Sequence, residues 1–207
     1  MIPAGNRTLL LIISGPSGAG KTTLCDRLVK DFGSLSYSVS CTTRSPRSNE
    51  VDGESYYFLD EGLFRARLSE NAYLEPAEDH GNWYGTLRGT VYDSLDRGGD
   101  ILMDIDVQGA EQIRDYARKA DEADAVRASL VDIFVAPPSL EELGHRIRGR
   151  GMDDGKTIDR RMKQAEKDME RAGEYQYLVV NDGIEEAYGV LKAIVIAERH
   201  RQKPATR

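Results

Sequence analysis

Gly15-Pro16-Ser17-Gly18-Ala19-Gly20-Lys21-Thr22, placed directly after the apolar run Leu9-Leu10-Leu11-Ile12-Ile13, restricts the folds open to this chain more than any other stretch. It matches G-x-x-x-x-G-K-[ST] at every fixed position, the pattern of a phosphate-binding loop. A short buried strand should precede such a loop, and the helical spacing of Leu24, Leu28, Val29 and Phe32 supplies the helix that should follow. Glycines let successive backbone N–H groups turn inward around a phosphate, while the positive end of the helix dipole points at the same place. Lys21 adds a point charge for the outer phosphates, and Thr22 offers a hydroxyl to Mg²⁺. A glycine-rich turn with no ligand is the plainer reading, but a chance match to the four fixed positions in this context weighs little against the phosphate loop.

A chain of 207 residues fits one domain with room for an insertion. Its net charge of −7 means that any anionic ligand must be held by local arginine and lysine clusters, which argues against a nucleic-acid coat or a membrane-surface protein. Cys25 and Cys41 are too few for a disulfide scaffold and lack metal-ligand spacing; Cys25 is expected to pack as a small apolar residue. No apolar run approaches a membrane span, so the cytoplasm is the expected compartment.

Along the chain, Ser36–Thr42 alternates as a half-buried strand that ends at Pro46, and residues 53–59 read as a second strand returning beside it. Asp60 is a candidate N-cap for a helix carrying Leu63, Phe64 and Leu68. Residues 71–86, rich in Glu75, Glu78, His80, Trp83, Tyr84 and Thr86, have no helical period and read as a loop or short strand lining a site. A helix over about 88–97 leads to Asp100-Ile101-Leu102-Met103-Asp104-Ile105-Asp106, a buried parallel strand with carboxylates where it leaves the sheet. A helix over 107–119 is expected to continue as a solvated extension through Ala128. Leu130–Ala136 is a buried strand, Ser139 caps the next helix, a further helix spans about 158–171, and a last strand at Tyr177–Val180 precedes a closing helix.

This alternation gives an α/β fold: a parallel phosphate-loop sheet covered by helices on both faces. The expected core is 1–35, 98–138 and 172–207, interrupted by an α+β insertion at about 36–97 and a helical lid at about 139–171. Asp104 suits a magnesium-orienting carboxylate, with Asp106 the runner-up; either could instead cap the next helix. Arg44 and Arg47, three apart across a proline turn, suit a fork closing on a phosphate dianion, to which Tyr56 and Tyr84 could add neutral donors. An arginine pair is more often solvated surface, but this one lies in the insertion beside a run of polar and aromatic residues.

Taken in order, Ser14 to Thr23, Ser-x-x-Thr-Arg-x-Pro-Arg at Ser40 to Arg47, Gly53-x-x-Tyr56-x-Phe58, Glu75 with Gly81-x-x-Tyr84-Gly85-Thr86, and Asp104-x-Asp106-x-Gln108-Gly109 resemble the signature of the guanylate kinase family. Ala136-Pro137-Pro138-Ser139, Arg146-x-x-x-Arg150-Gly151, Arg161 and Val180-Asn181-Asp182 continue it, so the resemblance covers roughly residues 9–199. It implies ATP-dependent phosphorylation of GMP, and of dGMP, to GDP, with Mg²⁺ as cofactor and a place in purine nucleotide metabolism. ATP would lie on Gly15 to Thr23 with Asn181. Ser40, Glu75 and Thr86 would read guanine; Arg44, Arg47, Tyr56 and Tyr84 would hold the GMP phosphate; Asp104 would stand near metal and acceptor. Lys21, Arg44 and the lid residues Arg146, Arg150 and Arg161 would serve the transferring phosphoryl group. The chain departs from the family at Pro76, where an aromatic is common, in the lid turn Met152–Lys156, and in a longer segment at about 115–129.

Guanine chemistry supports this reading. N1–H and the exocyclic amine are adjacent donors that one carboxylate accepts together, and the hydroxyls of Ser40 and Thr86 can donate to O6. Adenine would leave Glu75 desolvated and unpaired, a mismatch that can cost about 10⁴ or more in selectivity. The acceptor phosphate is already ionised, so no histidine base is required. The nearest rival is a kinase for another phosphorylated acceptor, which would not need Glu75. A peptide-binding scaffold module fits less well because the phosphate loop is intact, and a GTP-hydrolysing switch lacks Asn-Lys-x-Asp. Self-association is left open by the sequence.

Overall fold

A computed structural model describes residues 7–48, 50–79, 81–149 and 155–202. In chain order the first elements are β1 (Leu10–Ser14), α1 (Lys21–Asp31), β2 (Leu35–Tyr37), β3 (Cys41–Thr42), β4 (Tyr57–Phe58) and α2 (Glu61–Ser69). They are followed by β5 (Tyr73–Asp79), β6 (Asn82–Leu87), α3 (Arg88–Asp96), β7 (Asp100–Asp104), α4 (Val107–Lys119) and α5 (Ala125–Ser129). The chain closes with β8 (Leu130–Ala136), α6 (Leu140–Gly149), α7 (Gly155–Glu170), β9 (Tyr177–Val180) and α8 (Ile184–Arg199).

Leu9 to Ile13 are wholly buried because β1 is the middle strand of a five-stranded parallel sheet ordered β2-β7-β1-β8-β9. Side chains alternate along a strand, so an apolar run buries both faces. Leu9, Leu11 and Ile13 pack under α1 and α8 with Leu24, Leu28 and Leu191, while Leu10 and Ile12 join Val91, Ile113 and Phe134 on the side of α3 and α4. Each such side chain, fully buried, contributes roughly 1.5–3 kcal/mol. Ile13 pairs with Asp104 and Ser14 with Phe134, so β1 and β7 end within one residue of each other, β8 runs two residues further, and the loops that follow emerge at one edge.

A second sheet, ordered β4-β3-β6-β5, covers a smaller core in which Phe64 stacks on Tyr73 at 4.3 Å beside Cys41. The single strand expected over Ser36–Thr42 is therefore two strands in two sheets. Ser38 N–H still donates to Leu102 O, but Ser40 O already accepts from Tyr57 N–H of the second sheet. A period of two shows which face a residue takes and not which partner it pairs with. Residues 51–56 spend their hydrogen bonds on a turn, with Ser55 N–H donating to Val51 O and Gly53 N–H to Tyr56 O, so only β4 is extended; it runs parallel to β3 instead of returning beside it. β5 and β6 pair antiparallel from Tyr73 with Leu87 to Asp79 with Asn82.

The closing segments follow the expected pattern: Ser139 Oγ accepts from Glu142 N–H at 3.1 Å, and α6 packs on α7 through Leu143, Ile147 and Ala165. The expected solvated extension after α4 is corrected. The helix stops at Lys119, Asp124 caps a separate α5, and Val126 is buried in the main core. Tyr92 and Tyr116 both donate to Asp124 Oδ2, at 2.5 and 3.1 Å, which gives the longer segment a fixed place against α3. Arg150 and most of the turn Met152–Lys156 lie outside the described residues, as does His80. Among the described residues no helix is long and apolar enough to cross a membrane.

Candidate active site

The phosphate loop is built for close approach. Gly20, at φ 90°, is the N-cap of α1 and brings no side chain to its first N–H groups, which stay directed at the loop's concave side. A Cβ on Gly15, at φ 141°, would stand 2.2 Å from Val135 O, so only glycine fits between loop and β8. Pro16 and Ala19 close a turn beneath Ser17 and Gly18 through an Ala19 N–H bond to Pro16 O at 3.2 Å. Lys21 Nζ spans the loop, donating to Gly15 O at 2.8 Å and Pro16 O at 3.3 Å. Asn181, which the resemblance groups with the ATP contacts, is buried under the loop and donates from Nδ2 to Ala19 O at 2.7 Å. Thr23 is exposed on the first turn of α1.

At the end of β7, Asp104 Oδ2 accepts from Thr22 Oγ1 at 2.7 Å. Burial raises the Asp104 pKa, opposed by the nearby Lys21 ammonium and the Thr22 bond. Asp106 instead caps α4, accepting Gly109 N–H at 2.7 Å. Two adjoining hollows meet at residues 104–106. A cleft of about 770 Å³ is lined by Gly15, Ser17, Lys21, Arg47, Asp104 and Arg161 among others. A smaller hollow of about 190 Å³ is lined by Ser40, Tyr56, Glu75, Tyr84, Asp104 and Asp106 with a few neighbours.

Glu75 owes its position to a bulge. Tyr73 pairs with Leu87 but Pro76 with Gly85, so β5 carries one residue more than β6 across this interval. Pro76 is tolerated because β5 is an edge strand, and its carbonyl accepts from Gln112 Nε2 at 3.0 Å. Glu75 is only 4% exposed; its Oε1 accepts Thr86 N–H at 3.0 Å, and Ser40 Oγ and Thr86 Oγ1 lie 2.9 Å apart beside it. Burial pushes its pKa up to about 7, the Thr86 bonds pull it down, and the Asp106 charge adds to the rise.

Tyr56 and Tyr84 meet edge to face at 6.1 Å in the smaller hollow, and the Arg44 guanidinium lies 5.6 Å from the Tyr56 ring. Arg47 lines the larger cleft. From α7, Arg161 Nη2 donates to Ser17 Oγ at 2.6 Å, bridging the helical hairpin to the loop. Arg146 sits at the base of α6, donating to Glu142 Oε1 at 2.9 Å and Asn181 O at 3.0 Å.

The sequence reading missed Arg160, Gln164 and Asp168, which also line the larger cleft, and did not place Asp106 in the smaller hollow. The signal for the helix was present: Thr157, Arg161, Gln164 and Asp168 follow i, i+4, i+7, i+11, one polar stripe on one face.

Residues 7–198 match the family model described as guanylate kinase. The chain is 42% identical over 200 residues to a guanylate kinase of Clostridium perfringens, an alignment covering 97% of this chain and 88% of that one. It is 43% identical over 192 residues to a guanylate kinase of Alkalilimnicola ehrlichii, covering 93% and 90%. The crystal structure of guanylate kinase from Anaplasma phagocytophilum superposes with a TM-score of 0.73 at 30% identity, covering 95% of this chain and 89% of that one. With phosphate loop, strand-end carboxylate and buried glutamate joined at one cleft, and with relatives matching almost end to end, this chain belongs to the guanylate kinase family.

Proposed function

We propose that the protein transfers the terminal phosphoryl group of ATP to GMP, giving ADP and GDP. The observation that carries the substrate assignment is Glu75, a buried carboxylate with one oxygen on Thr86 N–H and the Ser40 and Thr86 hydroxyls alongside. Ionised, it accepts the two adjacent donors of guanine; beside adenine it would stay unpaired. The residues given to the acceptor address its base and its phosphate, so dGMP should be accepted as well.

ATP lies along residues 15–23, its phosphates on the backbone N–H groups at the head of α1, where Lys21 and Arg161 neutralise charge as the phosphoryl group moves. Thr22 and Asp104 present hard oxygens 2.7 Å apart beside Lys21, a donor pair that fits Mg²⁺ and would hold it. When bound, the ion supplies charge neutralisation on the phosphates. Asp106 is left to cap α4 and to face the base. Arg44, Arg47, Tyr56 and Tyr84 hold the acceptor phosphate between the two hollows, and Arg146 with Arg150 and Arg161 completes the donor side. No side chain need act as general base, because the acceptor oxygen is already an anion; positioning carries the reaction. The second sheet, about residues 36–97, and the α6–α7 hairpin, about 139–171, act as acceptor insertion and lid whose closure keeps water from ATP. The reaction would serve purine nucleotide metabolism in the cytoplasm. A purified sample should release ADP in the presence of Mg²⁺ at a rate that rises steeply on adding GMP or dGMP; release indifferent to GMP would overturn the proposal.

A further inference from the structure

One carboxylate ties down both arginines of the acceptor side. Arg44 Nη1 and Nη2 donate to the two oxygens of Glu50 at 3.0 and 2.8 Å, and Glu50 Oε2 also accepts the backbone N–H of Arg47 at 2.8 Å. The turn is closed in the other direction too, because Glu50 N–H donates to Arg47 O at 3.1 Å. Both side chains are shielded, at 18% and 13% exposure, so this is not a solvated surface pair. Arg44 and Arg47 hold the Glu50 carboxyl below the usual carboxylate range, Arg44 having the larger effect.

A carboxylate on an anion-binding arginine could either compete with the anion or aim the arginine at it, and the donor count separates the two. A guanidinium has five N–H groups. Nη1 is used twice, on Glu50 and on Ser45 O at 2.7 Å, and Nη2 once, on Glu50. The N–H on Nε and the second on Nη2 make no bond to Glu50 and run side by side along the remaining edge, a fork of the spacing that grips two phosphate oxygens; the Tyr84 hydroxyl, given above to the same phosphate, is the other side chain that hydrogen-bonds this guanidinium. Glu50 thus occupies the end of Arg44 and spares its side, while its hold on Arg47 N–H belongs to a turn that would have to break for the carboxylate to leave.

We propose that Glu50 is the positioning residue of the acceptor-phosphate clamp: it presents the Nε edge of Arg44 to the phosphate and fixes the backbone from which Arg47 reaches the same group. This rests on the assignment of Arg44 and Arg47 to the GMP phosphate. Preorganisation of this kind appears in KM for GMP, since the arginine otherwise has to be ordered on binding.

The test is steady-state kinetics of Glu50→Ala, Glu50→Gln, Arg44→Ala and the Glu50→Ala/Arg44→Ala double variant, varying GMP and MgATP separately. Glu50→Ala should raise KM for GMP about tenfold or more, with a smaller fall in kcat and an unchanged KM for MgATP, and Glu50→Gln should fall between it and wild type. In the Arg44→Ala background the same change should cost less than it does alone, because only the Arg47 share remains. A Glu50→Ala KM for GMP within about twofold of wild type, or below it, would overturn the proposal, the second result making Glu50 a competitor of the phosphate. If Glu50→Ala does not fold, a folded Glu50→Gln with wild-type KM for GMP has the same force. Arg44→Ala without effect on GMP would instead sink the clamp assignment itself.

Discussion

On the proposed function, the two ends of the cleft would hold phosphate by opposite means. At the donor end the ligands would be backbone N–H groups, held in place by glycines at positive φ and by a carbonyl, Val135 O, against which Gly15 is pressed. At the acceptor end they would be side chains, Arg44 and Arg47, on a turn with exposed residues on both sides and with the Glu50 carboxylate bonded to the Arg44 guanidinium. The first arrangement would cost little to order and would grip any polyphosphate. The second depends on what lies beside it, so selectivity has to come from the buried base pocket. Donor binding and acceptor choice are accordingly separable by substitution.

The largest expected effect breaks the donor end: Lys21→Ala should lower kcat by about 10³ or more, read in single-turnover ADP formation, while KM for GMP changes far less. Next, Glu75→Gln should lower kcat/KM for GMP by about 10² to 10³ and leave MgATP binding intact, because only the acceptor base loses its partner.

The same substitution should stabilise the fold. The Glu75 pKa lies near 7 against 4.5 for an unperturbed glutamate, so the fold disfavours the ionised form. Its contribution to stability is present below the unfolded value and lost as pH rises through about 7. Glutamine does not ionise, so Glu75→Gln should gain up to about 3 kcal/mol over wild type between pH 5 and pH 8 in urea melts. A variant that loses activity and gains stability would mark Glu75 as held for function. The smallest effect follows from the same titration: KM for GMP should rise up to about tenfold as pH falls from 8 to 6 while KM for MgATP stays nearly flat.

The two ends also differed in how far the sequence revealed them. The loop is one contiguous motif whose geometry follows from local residues, and β1, α1, β7, α4, β8 and β9 could be placed by period and caps. The smaller hollow is assembled from Ser40, Tyr56, β5, β6, the end of β7 and the head of α4, brought together by strand pairing that a period of two does not encode. The chain's change of sheets between Ser38 and Ser40 and the bulge that aims Glu75 were invisible for the same reason. Asp106 showed a capping pattern, Asp-x-x-Gly, but not that the cap would also look into the pocket. Glu50 gave no signal at all, being one acidic residue in a polar turn.

If one buried carboxylate selects the acceptor, the selection is read in the ratio of kcat/KM for GMP to that for AMP, measured in wild type and in Glu75→Gln. The wild-type ratio should be about 10⁴ or more and should collapse in the variant mainly through loss of GMP turnover. A wild-type ratio within about tenfold of unity, or a high ratio that survives the substitution, would contradict that selection.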